Sequence, residues 1–428
     1  MRGLRQQGWR GRVRRIAAPL VFVGLLGGCE SLLVQEAPSS IRAEDLDTPA
    51  AAPLLLTSVI AAFECALTQV NVYTGQISDE LNDGLFLITG WDLDRRTLLP
   101  TSATHALPCG SQQVPGFYTP VSQARFLADD VVRRFENFTD AEVPNRVRMI
   151  GQSAAYAGFG LAILGENMCS AAIDLGPEMT PAQLFAAAES RFDKAIASAT
   201  TANDQQTLNM ARVGRARVRL NLNKKAEARA DAALVPAGFI AVATHATTPI
   251  RRENLVWDTF FQGFWATVDP SFRGLTFGGV PDTSVLRVGT VTDAGRLGFD
   301  NQTRIWRTNK YPAQTSPSPI AKYVEAQLII AEIDGGQAAV NIINALHSRP
   351  GVGLPAFAST DPAAIAAQVI QERSRELYLE GRRLWDMIRF ALPLVPAAGA
   401  SYLKGGSYGT QLCIPFPLIE KQNNPNTR

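Results

Sequence analysis

Read for its hydrophobic and polar positions, the chain has a helical first half, a broken middle and a helical last quarter. Leu56, Val59, Ile60, Phe63, Leu67 and Val70 recur mostly at three- and four-residue steps, the spacing of one buried helix face. Residues 84–120 are rich in Gly, Pro and Thr, which predicts irregular backbone. Helical patterning resumes over about residues 121–138 and 145–169. Thr180, Pro181 and Gln183 form the pattern of a capping box with a first-turn proline. They open a helix to about residue 200, with Leu184, Ala188, Phe192 and Ile196 inward. Val213, Gly214, Ala216, Leu220, Ala226, Ala230 and Ala233 predict two short helices whose small residues allow close approach. From 236 to 317 the pattern dissolves into short apolar runs, glycines and turns, with short strands expected over about 280–296. Ser318-Pro319 reads as a second cap, with helices over about 320–333 and 337–347. Asp361-Pro362 opens a last long helix to about residue 390, and a loop-rich tail follows.

The first 28 residues change the picture. Arg2, Arg5, Arg10, Arg12, Arg14 and Arg15 precede an apolar run over 16–26 that is interrupted by Pro19. A basic segment followed by a short apolar one is a secretory signal, too short to span a bilayer. Leu26-Gly27-Gly28-Cys29 resembles a bacterial lipobox, which implies acylation of Cys29 and a flexible tether over 29–53. The formal charge of +2 comes from this segment: without its six arginines, the chain carries 35 basic and 39 acidic residues. A near-neutral body lacks the basic footprint of a nucleic-acid binder. With 428 residues, 46% of them apolar, the chain can bury a large core and is not disordered. Cys65, Cys109, Cys169 and Cys413 then sit in an oxidising compartment, where two disulfides are expected. Three pairings are open, and no C-x-x-C suggests metal or redox chemistry.

Catalytic patterns do not emerge. His105, His245 and His347 are far apart in sequence and form no metal-binding spacing. Gly405-Gly406-Ser407-Tyr408-Gly409 fits a nucleophile elbow, but no histidine follows it, so it reads as a glycine-rich loop. No catalytic residue, metal or cofactor is nominated. Binding has better candidates. Six aromatics crowd residues 257–272, and five of them (Trp257, Phe260, Phe261, Phe264 and Trp265) follow a helical stripe. That stripe reads mainly as core packing, with Trp265 kept as a ligand candidate. Trp91, Trp306 and Tyr311 instead stand among polar residues, where an aromatic face can stack on a ligand ring. Asp92 and Asp94 flank Trp91 as polar partners for such a ligand or for a calcium ion, although a solvated loop is the plainer reading.

The last quarter carries a resemblance. Tyr323-Val324-Glu325-Ala326 through Ala331-Glu332 is followed by Ala338–Asn344, then by Arg349-Pro350-Gly351. Gln371-Glu372-Arg373-Ser374-Arg375-Glu376-Leu377 continues through Glu380-Gly381-Arg382-Arg383-Leu384-Trp385-Asp386, and Pro415-Phe416-Pro417 and Asn424-Pro425-Asn426 close the chain. These ordered motifs resemble the RagB/SusD family, and the small-residue hairpins around Gly214 are similar to tetratricopeptide repeats. The resemblance implies a mainly α fold: a tetratricopeptide-like superhelix with a loop-rich, mixed variable region. It implies an N-terminal helical region over 54–235, a ligand-side variable region over 236–317 and a C-terminal helical region with a tail over 318–428. It also implies a non-catalytic outer-membrane lipoprotein, facing the cell exterior. Such a protein captures an oligosaccharide or peptide and hands it to a TonB-dependent SusC-like transporter. Some relatives carry a dense acidic run after the lipidated cysteine as a surface-export cue, whereas here only Glu30 and Glu36 appear. A tetratricopeptide scaffold lipoprotein in outer-membrane assembly is the alternative. Read from the residues alone, Glu372 with Arg375 and Glu376, and Glu380 with Arg383, have spacings that allow ion pairs, and the cluster reads as a charged network pinning the last helix to its neighbours rather than as a ligand site.

Overall fold

The first long helix, α1 (Ala52–Ile77), has the length and hydropathy of a membrane span, but from Phe63 to Ile77 every side chain is buried. The chain is described by a computed structural model covering residues 43–427. Ala43–Leu46 form a 3-10 turn within a small first unit, and Thr48 onward makes a second unit that holds everything below. The signal segment and Cys29 lie outside the described residues.

After α1 come a short strand β1 (Leu81–Asp83) and the short helix α2 (Ile88–Asp94). Five helices follow: α3 (Tyr118–Glu136), α4 (Arg146–Asn167), α5 (Pro181–Thr201), α6 (Gln205–Asn221) and α7 (Lys225–Ala233). Consecutive members pack as hairpins, and α1 lies against α3 and α4. The small residues set the spacing. A Cβ at Gly214 would lie 2.4 Å from the Phe192 ring and one at Gly158 would lie 2.8 Å from it, so α4 and α6 close on either side of that ring. The capping box is present: Thr180 Oγ1 accepts from the Gln183 amide at 3.3 Å, while Gln183 Oε1 accepts from the Thr180 amide at 2.8 Å. Thr180→Ala is expected to lower stability by about 1 kcal/mol. A urea midpoint unchanged from wild type would count against that role for the cap.

The middle contributes β2 (Ile240–Ala243), α8 (Leu255–Phe261), β3 (Ala266–Val268), β4 (Thr276–Phe277), β5 (Val280–Pro281), β6 (Val291–Leu297), β7 (Arg304–Thr308) and β8 (Ser318–Lys322). All sheets among the described residues are antiparallel pairs: β1 with β3, β2 with β8, β4 with β5 and β6 with β7. The last block holds α9 (Tyr323–Asp334), α10 (Gly336–His347), α11 (Pro362–Glu376), α12 (Arg383–Arg389) and α13 (Leu418–Asn423). The fold is mainly α, as expected. Disulfides join Cys65 to Cys109 and Cys169 to Cys413, a pairing the sequence left open. The second ties the tail to the end of α4, where the Ile414 amide also donates to Asn167 O at 2.8 Å.

Four expectations need correction. Residues 84–120 are not irregular throughout, because α2 forms at Ile88–Asp94 and places Trp91, Asp92 and Asp94 on a helix rather than a loop. Ser318-Pro319 is not a helix cap; it starts β8, which pairs with β2 through a bulge, and helix begins only at Tyr323. The aromatic stripe from Trp257 is cut short at Phe261, because Phe264 takes a left-handed φ of 51° and the chain turns into β3. The last long helix is two helices. Leu379 and Gly381 have φ of 52° and 73°, and a Cβ at Gly381 would lie 3.1 Å from Val70 Cγ1 on α1. The break lets the Leu379 amide donate to Glu80 Oε1 at 2.8 Å.

The charged residues of α11 and its following turn do not pair along the helix. Glu372 meets Arg287 and His347, while Glu376 meets Arg287 and Arg349. Arg375 meets Asp282, Glu380 meets Lys310 and Lys322, and Arg383 meets Asp79. The network therefore pins α11 to the middle region and to the segment after α1.

Candidate ligand-binding site

The segment after β1 must pass between two backbones, and Gly84 permits it. Its amide donates to Trp265 O at 2.7 Å, and its carbonyl accepts from the Asp300 amide at 3.1 Å. A Cβ there would lie 3.2 Å from the carbonyl oxygens of both Phe264 and Trp265. Three segments thus meet at Gly84: the loop into α2, the turn before β3, and the tip of the β6–β7 hairpin.

Two of the segments bring strongly exposed apolar side chains to solvent. Phe86 is 67% exposed and Ile88 61%, on the first; Phe299, on the hairpin tip, is 57% exposed. Trp91 on α2 is half-buried, with its Nε1 donating to Leu85 O at 2.8 Å. Its ring meets Phe86 edge-on, with centroids 5.8 Å apart at 86°. On the turn, the Arg296 guanidinium lies 3.8 Å from the centre of the Phe264 ring. Exposed rings held by backbone contacts offer flat faces at small entropic cost.

A cavity of about 400 Å³ opens beside β1, and Asp83, Asp94, Tyr402, Lys404 and Arg273 contribute to its walls. Lys404 is the anchor. Its Nζ donates to Leu85 O at 3.0 Å and Asp83 O at 2.7 Å, and it pairs with Asp83 Oδ2 at 2.5 Å and Asp300 Oδ2 at 2.9 Å. One buried ammonium thereby holds the loop of Phe86 and the hairpin tip of Phe299 to the C-terminal tail. Burial pushes the Asp83 carboxyl up to about 7, against the pull of Lys404. It also pushes Asp94 up to about 6, although Asp94 Oδ2 accepts from the Asp83 amide at 2.8 Å and from the Tyr402 hydroxyl at 3.0 Å.

The structure sorts the sequence candidates. Trp91 stands at the platform, and Asp94 lines the cavity with its oxygen already bonded within the fold. Trp306, half-buried on β7, packs against the core with Arg273 lying 5.0 Å from its ring centre. Asp92 is held on α2 by Arg95 at 2.6 Å and by Thr97 at 3.2 Å. Trp265 and Tyr311 are 7% and 3% exposed members of one apolar core cluster, so the Trp265 ring turns into the core although its carbonyl bonds Gly84. The Tyr311 hydroxyl donates to Leu379 O at 3.3 Å. Among the described residues, no group of three or more His, Cys, Asp or Glu could hold a metal ion. Phe86, Phe299, Arg273 and Lys404 were missed. The apolar run Phe86-Leu87-Ile88 inside an otherwise loop-like stretch was a usable signal for the first; Lys404 carried none.

The sequence profile of the SusD family matches residues 322–420. No curated protein sequence matches the chain. Solved structures do share its fold. A SusD superfamily protein from Bacteroides vulgatus has a TM-score of 0.64 at 15% identity, over 89% of this chain and 98% of that one. Surface glycan-binding protein A from Bacteroides uniformis has a TM-score of 0.66 at 14% identity, over 88% and 98%. Surface glycan-binding protein A from Bacteroides thetaiotaomicron, in complex with laminarihexaose, has a TM-score of 0.62 at 15% identity, over 88% and 98%. The family's profile matches the C-terminal block and solved SusD superfamily structures share the architecture over most of the length, so this chain has a SusD-like fold.

Proposed function

We propose that the chain is a non-catalytic, lipid-anchored nutrient-binding protein of the outer membrane. It captures a glycan at the rim formed by Phe86, Trp91 and Phe299 and passes it to a TonB-dependent SusC-like transporter. The observation that carries this reading is the meeting at Gly84 of two distant segments that expose aromatics, the loop into α2 and the tip of the β6–β7 hairpin, beside a polar cavity. Sugar rings present C–H faces to aromatics and hydroxyls to groups such as Gln302 and Arg304, both exposed at the cavity wall. The laminarihexaose bound by a protein of the same fold supports a glycan over a peptide, the other ligand that such a platform suits. The Leu-Gly-Gly-Cys29 sequence supports the anchor. Asp83 and Asp94 support a binding role rather than a hydrolytic one, because one oxygen of each, Oδ2, is tied to backbone amides and to Lys404 or Tyr402.

Handover to a pore requires release, so affinities between about 1 mM and 1 μM are expected. Calorimetric titration with laminarihexaose, other oligosaccharides and short peptides tests this. Phe86→Ala and Trp91→Ala are each expected to weaken the best ligand by about tenfold, the worth of one stacked ring. Affinities unchanged in both variants, or cleavage of the titrated glycan, would overturn the reading. Recovery of an outer-membrane assembly complex in place of a β-barrel transporter would favour a tetratricopeptide scaffold instead.

A further inference from the structure

A second cavity, of about 750 Å³, shares no wall residue with the one beside Trp91. Its walls include Phe239, Ile240, Tyr311 and Val324, and Val285 and Leu286 reach solvent at 50% and 47% exposure, marking its mouth. An apolar hollow of this size suits a small molecule. What distinguishes it is the charge it contains.

Lys310, Lys322 and Glu380 all contribute to the lining, and all three are buried. Lys310 Nζ donates to Tyr378 O at 2.7 Å and to Glu380 Oε1 at 2.8 Å. Lys322 Nζ donates to Glu376 O at 2.7 Å and to the same Glu380 Oε1 at 2.7 Å. Two ammonium groups therefore share one carboxylate oxygen, and no other carboxylate pairs with either among the described residues. An ammonium has three donors, so each keeps one beyond these bonds. Glu80, close enough to act on Lys310, is pushed by burial up to about 8 and is largely protonated at neutral pH. Arg349, also in the lining, is engaged with Glu376 at 2.5 Å. Burial and the neighbouring Lys322 lower the Lys310 pKa, and with both lysines protonated the charged end of the cavity holds one positive charge more than its carboxylate answers, under apolar walls. Buried charge without a counter-charge is unfavourable, and a bound anion supplies one.

We propose that this cavity is a second binding site, for a small amphipathic anion: a carboxylate on an apolar body. The carboxylate takes the spare donors of Lys310 and Lys322, and the apolar body fills the space toward Val285 and Leu286. The site is independent of the aromatic platform, and neither proposal needs the other.

Dodecanoate serves as the probe and dodecanamide as its uncharged counterpart, each titrated calorimetrically into the full folded chain below its aggregation limit. Dodecanoate is expected to bind about tenfold or more tightly than the amide, the scale of hydrogen bonds to a charged group. Leu286→Asp, at the exposed mouth, is expected to weaken dodecanoate by about tenfold while leaving laminarihexaose binding at its wild-type value. Lys322→Met is expected to erase the preference for acid over amide. Equal binding of acid and amide, absence of dodecanoate binding, or Leu286→Asp behaving as wild type would each overturn the proposal. Because Lys322→Met removes a buried charge and can impair folding, the amide comparison and the mouth variant decide the matter without it.

Discussion

Replacing Arg287 with methionine is expected to lower stability by about 3–5 kcal/mol, the cost of removing one member of a buried ionic network. Its side chain is 0% exposed, as are those of Asp282, Glu372 and Glu376. Its Nε lies 2.9 Å from Asp282 Oδ1, while Nη1 lies 2.7 Å from Glu372 Oε2 and 2.5 Å from Glu376 Oε1. Without the guanidinium, three carboxylates remain in the interior. Arg375 at 3.1 Å from Asp282, Arg349 at 2.5 Å from Glu376 and His347 at 2.9 Å from Glu372 compensate only from one side each. The methionine fills the volume, so the loss measures charge rather than a cavity. Arg287→Lys is expected to recover only part of it, because an ammonium cannot reproduce the planar fork. Urea unfolding of the three proteins tests this, and a loss under about 1 kcal/mol in Arg287→Met would sink the account.

Stability is expected to fall as pH rises from about 6 to 8.5, and this slope is the second large effect. His347 Nδ1 faces Pro355 O at 2.7 Å and its Nε2 faces a Glu372 carboxylate oxygen at 2.9 Å. Both partners accept, so the ring fits as the doubly protonated imidazolium. Burial works to lower the His347 pKa, but the bond and charge of Glu372 override it and hold the pKa above 6.5. A raised histidine contributes fully below its unfolded pKa and loses that contribution as pH climbs through the folded one. Raised acids act in the same direction. Glu80 is pushed up from 4.5 to about 8 and Asp83 from 3.8 to about 7, mainly by burial, so the fold holds protons that the unfolded chain releases, and stability falls with pH until each group ionises in the fold. The combined loss is on the order of several kcal/mol. Glu372 opposes this at the acid end. Burial works to raise it, yet His347 and Arg287 hold it at about 2, so its contribution exists above about 4.5 and disappears as pH falls toward 2. Urea midpoints across pH 4–9 should therefore peak on the acid side of neutrality. A midpoint flat from 6 to 8.5 would contradict the assignment, and His347→Gln should flatten part of the slope.

The particular residues show how legibility ran out. The spacings of Glu372, Arg375, Glu376, Glu380 and Arg383 suggested ion pairs along one helix, yet their partners come from Asp79, Asp282, Arg287, Lys310, Lys322, His347 and Arg349. A side chain on a buried helix face is covered by other elements, so its charge is answered there. The structural purpose of the cluster was legible and its wiring was not. The platform divides similarly. Trp91 stood out because it was an aromatic among polar residues, whereas Tyr311 passed the same test and proved a core side chain. Phe86 and Phe299 were not singled out by the sequence pattern and are exposed.

Sequence alone determined the features whose information is local. The Thr180 and Asp361 caps, the small residues that admit Phe192 and the mainly α architecture follow from residues a few positions apart, because a helix is closed by bonds between near neighbours. Tertiary structure decided the choice among three disulfide pairings, the break at Gly381, the exposure of Phe86 and the sharing of Glu380 by Lys310 and Lys322. Each of these depends on which surfaces meet across tens to hundreds of residues. Burial and charge pairing are properties of that meeting, not of the segment that carries the residue.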